Sequence, residues 1–232
     1  MAGVAFEGDA GRCFLKRERT MKPLDLNQLQ QYSDTLRSRS GRWLTVRFVE
    51  PGDAEALQNY FRSLSARSRY NRLMGAASEL PQTQLEKFVR LGEADSFSVV
   101  VTVDVDGLDS IVGEARYAFH PDSAGFEFGL SIDDRWQGQG IGTALLANLE
   151  CRAAAFGAEH LFGDTLRSND AMLRLARKSG YAFAPTPGDW KQVRFEKQID
   201  GAPQDIPCAN WRPAAIDRQA SASLAHRDGG QA

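Results

Sequence analysis

"RWQGQGIGTALL", Arg135 to Leu146, places three glycines within five positions and then turns apolar. A strand-like run, "FEFGLSI" (Phe126 to Ile132), precedes it, and a helix-like run, "TALLANLECRAAAFG", follows. A strand that enters a glycine-rich turn and leaves as a helix presents unbonded backbone N–H groups, and the helix dipole adds to them. Glycine lets that backbone approach a bulky anion and take φ values closed to other residues. The segment therefore reads as an anion cradle. Two familiar phosphate loops do not fit. A P-loop would need a lysine after Gly142, where Thr143 stands. A dinucleotide fingerprint would need a glycine at 143, in the first turn of a parallel sheet. Here three strand candidates come first: "FSVVVTV" (Phe97 to Val103), "IVGEARYAF" (Ile111 to Phe119) and "FEFGLSI". The turn segments "DVDGLDS" and "HPDSAG" join them, which predicts an antiparallel meander.

Downstream, "HLFGDTL" (His160 to Leu166) reads as a strand and "SNDAMLRLARKSGY" as a helix capped by Ser168 or Asn169 and closed by Gly180. Two short strands around a Pro/Gly loop follow, ending at Ile199. Upstream, "WLTVRFV" (Trp43 to Val49) alternates like a strand. Asp53 is placed to cap a helix with Leu57, Phe61 and Leu64 inward. "RSRYNRLM" continues helix-like, and "ELPQTQLEKFVRLGEA" is a further short helix with Leu85, Phe88 and Val89 inward. Three regions result. Residues 1–42 form an N-terminal arm, partly helical or flexible, with Leu26, Leu29 and Leu36 as a sparse stripe. Residues 43–199 form one α/β domain, and 200–232 form a disordered or loosely docked tail.

The bulk numbers bound the function. The formal net charge of -2 over 232 residues gives no basic footprint, so no nucleic-acid partner is expected. The N-terminus lacks the basic start and apolar run of a signal peptide, and no long apolar run suggests a membrane span. A cytoplasmic location is expected. Cys13, Cys151 and Cys208 are odd in number and widely spaced, suggesting neither a zinc site nor a disulfide framework. His120, His160 and His226 do not cluster with ligand-type neighbours, so no metal is expected.

"QGQGIG" resembles the acyl-CoA loop of the GNAT family of N-acetyltransferases, Gln/Arg-x-x-Gly-x-Gly/Ala, with Gln137, Gly140 and Gly142 at its defining positions. "SNDAMLRLARKSGY" resembles that family's second signature, an Asn that opens a helix ending in Gly-aromatic. Within the family, "IVGEARYAFHPDSAGFEFGLSIDDRWQGQGIGTALL" and "FRSLSARSRYNRLM" are similar to the acetyltransferase domain of bacterial Pat-type protein lysine acetyltransferases. The resemblance covers residues 43–199. It implies an α/β (α+β) fold: a mixed, mostly antiparallel sheet, splayed at its centre and flanked by helices.

It also implies roles. Acetyl-CoA would be the donor and CoA the product. Its pantetheine arm would lie in the splay, taking backbone hydrogen bonds from Leu130 and Ile132. The loop Gln137, Gly138, Gln139, Gly140, Ile141, Gly142 and Thr143 would hold the pyrophosphate. Asn169 would cap its helix and touch the arm. Phe128, Leu130 and Ile132 share one strand face, leaving Glu127, Gly129 and Ser131 on the other. Glu127 matches the general base proposed for Pat-like enzymes. Glu114, on the neighbouring strand, is the reserve base or a charge partner to an arginine. Basic residues around 70 face either the substrate, the outer phosphates or solvent. The family's proton-donating tyrosine is replaced by Ala176, and Tyr181 reads as a packing aromatic. Three readings stay open: transfer to a protein lysine, transfer to a small-molecule amine, and a non-catalytic acyl-CoA-binding module. A homodimer also stays open.

Overall fold

The computed structural model describes residues 33–90, 96–105, 107–156, 158–186 and 188–199. Among them, eight strands form one sheet in the order β1-β2-β3-β4-β5-β6-β8-β7. They are β1 (Asp34–Arg37), β2 (Trp43–Phe48), β3 (Ser96–Val105), β4 (Leu108–His120), β5 (Gly125–Ile132), β6 (His160–Leu166), β7 (Ala182–Pro185) and β8 (Gln192–Gln198). Among the described strands, only β5 and β6 pair in parallel. The helices are α1 (Ala54–Ser63), α2 (Ala66–Leu73), α3 (Gln82–Val89), α4 (Ile141–Phe156) and α5 (Asp170–Lys178). The expected meander is β3–β4–β5, and the glycine segment links β5 to α4.

The two faces of the sheet bury different helices. On one, Val46, Phe48, Phe97, Val99, Tyr117, Phe126 and Phe128 meet Leu145, Leu146 and Leu149 of α4. On the other, Leu57, Tyr60 and Phe61 of α1 and Leu85 and Phe88 of α3 close over Val100. α4 also meets the edge strand β1. That contact is polar and buried: Asp34 accepts from Arg152 Nη2 at 2.9 Å and from Asn148 Nδ2 at 2.7 Å. Arg152 Nε also donates to Asn148 Oδ1 at 2.7 Å. Such groups are tolerated inside only because each has partners.

Two local readings are corrected. The helix expected to include Leu36 is instead the edge strand β1, and the described fold starts there rather than at Trp43. Asp34 and Leu36 point inward while their neighbours point out, a period of two too short to register in sequence. Leu26, Leu29 and the tail 200–232 lie outside the described residues. Asp53 stands at the N-cap of α1, but its carboxylate serves Arg47, at 2.7 and 2.9 Å, and the Glu50 N–H instead of the helix amides. Cys151 is buried in α4. No described helix is long and apolar enough to cross a membrane.

Candidate active site

β5 and β6 pair only from Gly125↔His160 to Glu127↔Phe162 and then diverge. Their last close approach needs a glycine: a Cβ on Gly163 would lie 2.6 Å from the Phe128 carbonyl oxygen. Beyond it the sheet splits. Asp133 N–H donates to Val112 of β4, so by strand alternation Ser131 and Gly129 bond β4 while Leu130 and Ile132 direct their N–H and C=O groups into the split. The Ile132 carbonyl is already used, accepting from Gln137 Nε2 at 3.0 Å. Gln137 thus braces the glycine turn against the end of β5, a positioning task its motif place did not reveal.

After Gln137 the chain turns through Gly138 and Gly140, whose φ values of 74° and 85° are left-handed. Among the described residues, no backbone N–H from Gly138 to Thr143 has an acceptor; the first bonded amide is that of Ala144, to Gly140. Aimed amides with no partner, at the start of a long helix, suit a diphosphate. Ile141 is buried, so only its backbone is available there. Gln139 Nε2 turns back to the Arg135 carbonyl at 3.2 Å. Asn169 caps α5 through the Met172 N–H at 3.3 Å and donates to Thr165 Oγ1 at 3.0 Å.

The other end of the same cleft is built on the polar face of β4 and β5. Glu127, Gly129 and Ser131 lie across from Ala118, Arg116 and Glu114. Glu127 is half exposed, lines the cleft and lies 3.1 Å from His120 Nε2. Glu114 is wholly buried, lies outside the cleft lining and is the charge partner of an arginine. Its carboxylate accepts from Arg72 Nε at 2.6 Å and Nη2 at 3.0 Å, and from Ser131 Oγ at 2.5 Å. Tyr60 Oη adds a bond to Ser131 Oγ at 3.0 Å. Burial works against charge on Arg72, but the Glu114 carboxylate outweighs it and raises the guanidinium pKa. Burial, reinforced by Glu114, holds the Tyr60 phenol far above its ordinary value, so it stays protonated.

Arg72 therefore lies over Gly129, where a Cβ would sit 3.2 Å from Nη1. The corner that carries it is fastened by Asp133 and Asp134. Ser63 Oγ donates to Asp133 at 3.2 Å, and Asp134 accepts from Ser65 N–H at 2.8 Å, Ser65 Oγ at 2.9 Å and Ser68 Oγ at 2.7 Å. Sequence reading missed this corner, His120 and Ser131's role. Alternation could have found His120, which is on the Glu114 face of β4 across a short hairpin from Glu127.

Among the described residues, neither Ala176 nor Tyr181 offers the thiolate a phenol. Ala176 is buried, and Tyr181 packs against Phe128 and Phe195 at 6.1 and 5.7 Å between ring centres. Burial, with Glu150 nearby, raises its pKa far beyond the ordinary phenol value. The cleft joining loop, split and Glu127 has a volume of about 1360 Å³, room for an extended ligand and a second reactant.

Comparison with known proteins accords with this architecture. Residues 59–181 match the model of the acetyltransferase (GNAT) family. The chain is 27% identical over 153 residues to an acetyltransferase of Pseudomonas aeruginosa, covering 66% of this chain and 82% of that one. It is 28% identical over 143 residues to the acetyltransferase Pat of Mycolicibacterium smegmatis, covering 61% of this chain but only 42% of that longer protein. Among solved structures, the GNAT domain of S. lividans PAT superposes with a TM-score of 0.66 at 20% identity, over 72% of this chain and 97% of that one. The chain belongs to the acetyltransferase (GNAT) family and is an acetyl-CoA-dependent N-acetyltransferase.

Proposed function

We propose that the enzyme acetylates a primary amine by direct attack in a ternary complex, with a protein lysine as the leading acceptor and Glu127 as the base. The supporting observation is one cleft containing Glu127, the open edge at Leu130 and the free amides of the loop. A lysine ammonium has a reference pKa near 10.4, so at pH 7 only roughly one in 10³ is neutral. Glu127 takes the proton, directly or through water, and passes it to solvent. The nitrogen then bonds the thioester carbon. The Leu130 N–H donates to the carbonyl oxygen as it gains charge. As the tetrahedral adduct collapses, the nitrogen gives up its second proton to Glu127 or to water, the C–S bond breaks with its electron pair on sulfur, and the thiolate leaves without a tyrosine beside it. The loop amides from Gly138 to Thr143 hold the pyrophosphate, and Asn169 adds a contact to the pantetheine arm. A cytoplasmic location accompanies this reading, since acetyl-CoA is an intracellular metabolite.

A small-molecule acceptor is the second reading. Arg116 and Lys87 line the acceptor end of the cleft, which favours an amine that also bears a carboxylate. Thiol release measured across a panel of proteins and small amines separates the two. Acetylation of small amines with no protein modified would reverse the ranking, and no turnover with any amine would remove the proposal.

A further inference from the structure

The turn between β1 and β2 has no part in the chemistry above, yet it lies across the glycine loop. Arg39 N–H donates to the Gln139 carbonyl at 2.9 Å, and Ser40 Oγ reaches Gln139 Oε1 at 3.4 Å. A Cβ on Gly140 would stand 2.9 Å from Arg39 Cγ, so the glycine admits the arginine stem onto the loop. From there the side chain lines the cleft beside Gly138 and Gly140. Its guanidinium has no partner among the described residues. The turn is also firmly mounted. Asp34 is tied to Arg152 and Asn148 of α4, and Leu36 is buried in the core. The helix that opens at the loop therefore also fixes the strand that delivers Arg39. An unpaired guanidinium on a turn anchored by a fixed strand, next to a row of unbonded amides, is half of an anion clamp.

We propose that Arg39 is a coenzyme-binding residue that grips the pyrophosphate of acetyl-CoA from the side opposite the loop amides. The proposal rests on the reading that this loop holds the pyrophosphate. Its planar fork suits two phosphate oxygens at once, whereas the amides each offer a single donor. The β1–β2 turn is then part of the binding site, and its contribution depends on charge as the amides' does not.

Calorimetry with CoA, dephospho-CoA and phosphate-free pantetheine tests it on the wild type, R39Q and R39K. In R39Q, Kd for CoA and for dephospho-CoA should rise together by at least about tenfold, and the dependence of log Kd on log salt should flatten. R39K should lie between, keeping charge without the fork. The melting temperature should stay at the wild-type value, since Arg39's guanidinium pairs with nothing in the described fold. R39Q binding CoA within twofold of the wild type would overturn the proposal. So would a loss confined to CoA, which would put Arg39 on the 3′-phosphate. A wild type that binds CoA no better than pantetheine would remove the loop reading itself. A wild type with that preference, retained in R39Q, would remove Arg39 alone.

Discussion

Arg72 Nε lies 2.6 Å from Glu114 Oε1, and the pair fastens α2 to the sheet directly above Gly129. Neither partner is readily spared. A buried carboxylate and guanidinium are tolerable together, but either alone is an uncompensated charge. We expect E114A to lower stability by about 3–5 kcal/mol, the usual cost of breaking a buried pair from one side. Replacing Arg72 and Glu114 together by Met and Leu should recover much of that loss, since an apolar pair of similar volume leaves no orphan. Urea melts of the single and double variants check this. Equal loss in both would mean the pair's charges are not what matters.

E127Q should behave differently. It keeps size at a half-exposed position and removes the proton acceptor. We expect kcat to fall by roughly 10²–10⁴-fold with little change in melting temperature or acetyl-CoA affinity. The deficit should shrink as pH rises toward the amine's own pKa, where neutral acceptor becomes abundant. Wild-type turnover in E127Q at pH 7, with the chemical step shown to be rate-limiting, would pass the role to water or to His120.

Asp134 links acid stability to the site. Burial acts to raise its pKa, but hydrogen bonds from Ser65 and Ser68 win, and the folded value is lowered. A carboxyl lowered on folding contributes stability that is complete above its unfolded value, near ~3.9, and is lost as pH falls through the folded value. D134N should therefore melt below the wild type at pH 7, and the gap should narrow below about pH 4. Thermal melts from pH 3 to 7 measure this. A constant gap would show that the charge of Asp134 contributes nothing.

G140V probes the loop. At φ 85° any side chain is strained, and its Cβ would meet Arg39 Cγ at 2.9 Å. The left-handed conformation costs a non-glycine residue roughly 1–2 kcal/mol. We expect a modest drop in melting temperature together with at least tenfold weaker CoA binding. Unchanged affinity in a folded variant would show that the loop does not approach the phosphate.

The local elements were legible because each obeys a short-range rule. "FEFGLSI" alternates, and β5 buries Phe126, Phe128 and Ile132 while exposing Glu127. "SNDAMLRLARKSGY" carries its own cap and stop, and α5 runs Asp170–Lys178 with Asn169 capping and Gly180 at φ 83°. The glycine loop announced its unbonded amides through composition alone.

What the chain order could not show was which charges meet. Glu127 and Glu114 are both strand carboxylates on the same sheet face, and nothing local separates them. The tertiary structure separates them through Arg72, which arrives from α2, 42 residues away from Glu114 in sequence. It buries and saturates one carboxylate and leaves the other in the cleft. The same holds for β1. Asp34 and Leu36 form a strand because β2 supplies hydrogen bonds and Arg152, 118 residues distant, supplies a buried countercharge. Hydrogen bonding within a helix joins near neighbours, and side-chain alternation along a strand is local too, so both are written in sequence periodicity. Desolvation and charge pairing depend on which surfaces the folded chain brings together, and only the packed sheet and helices decide that.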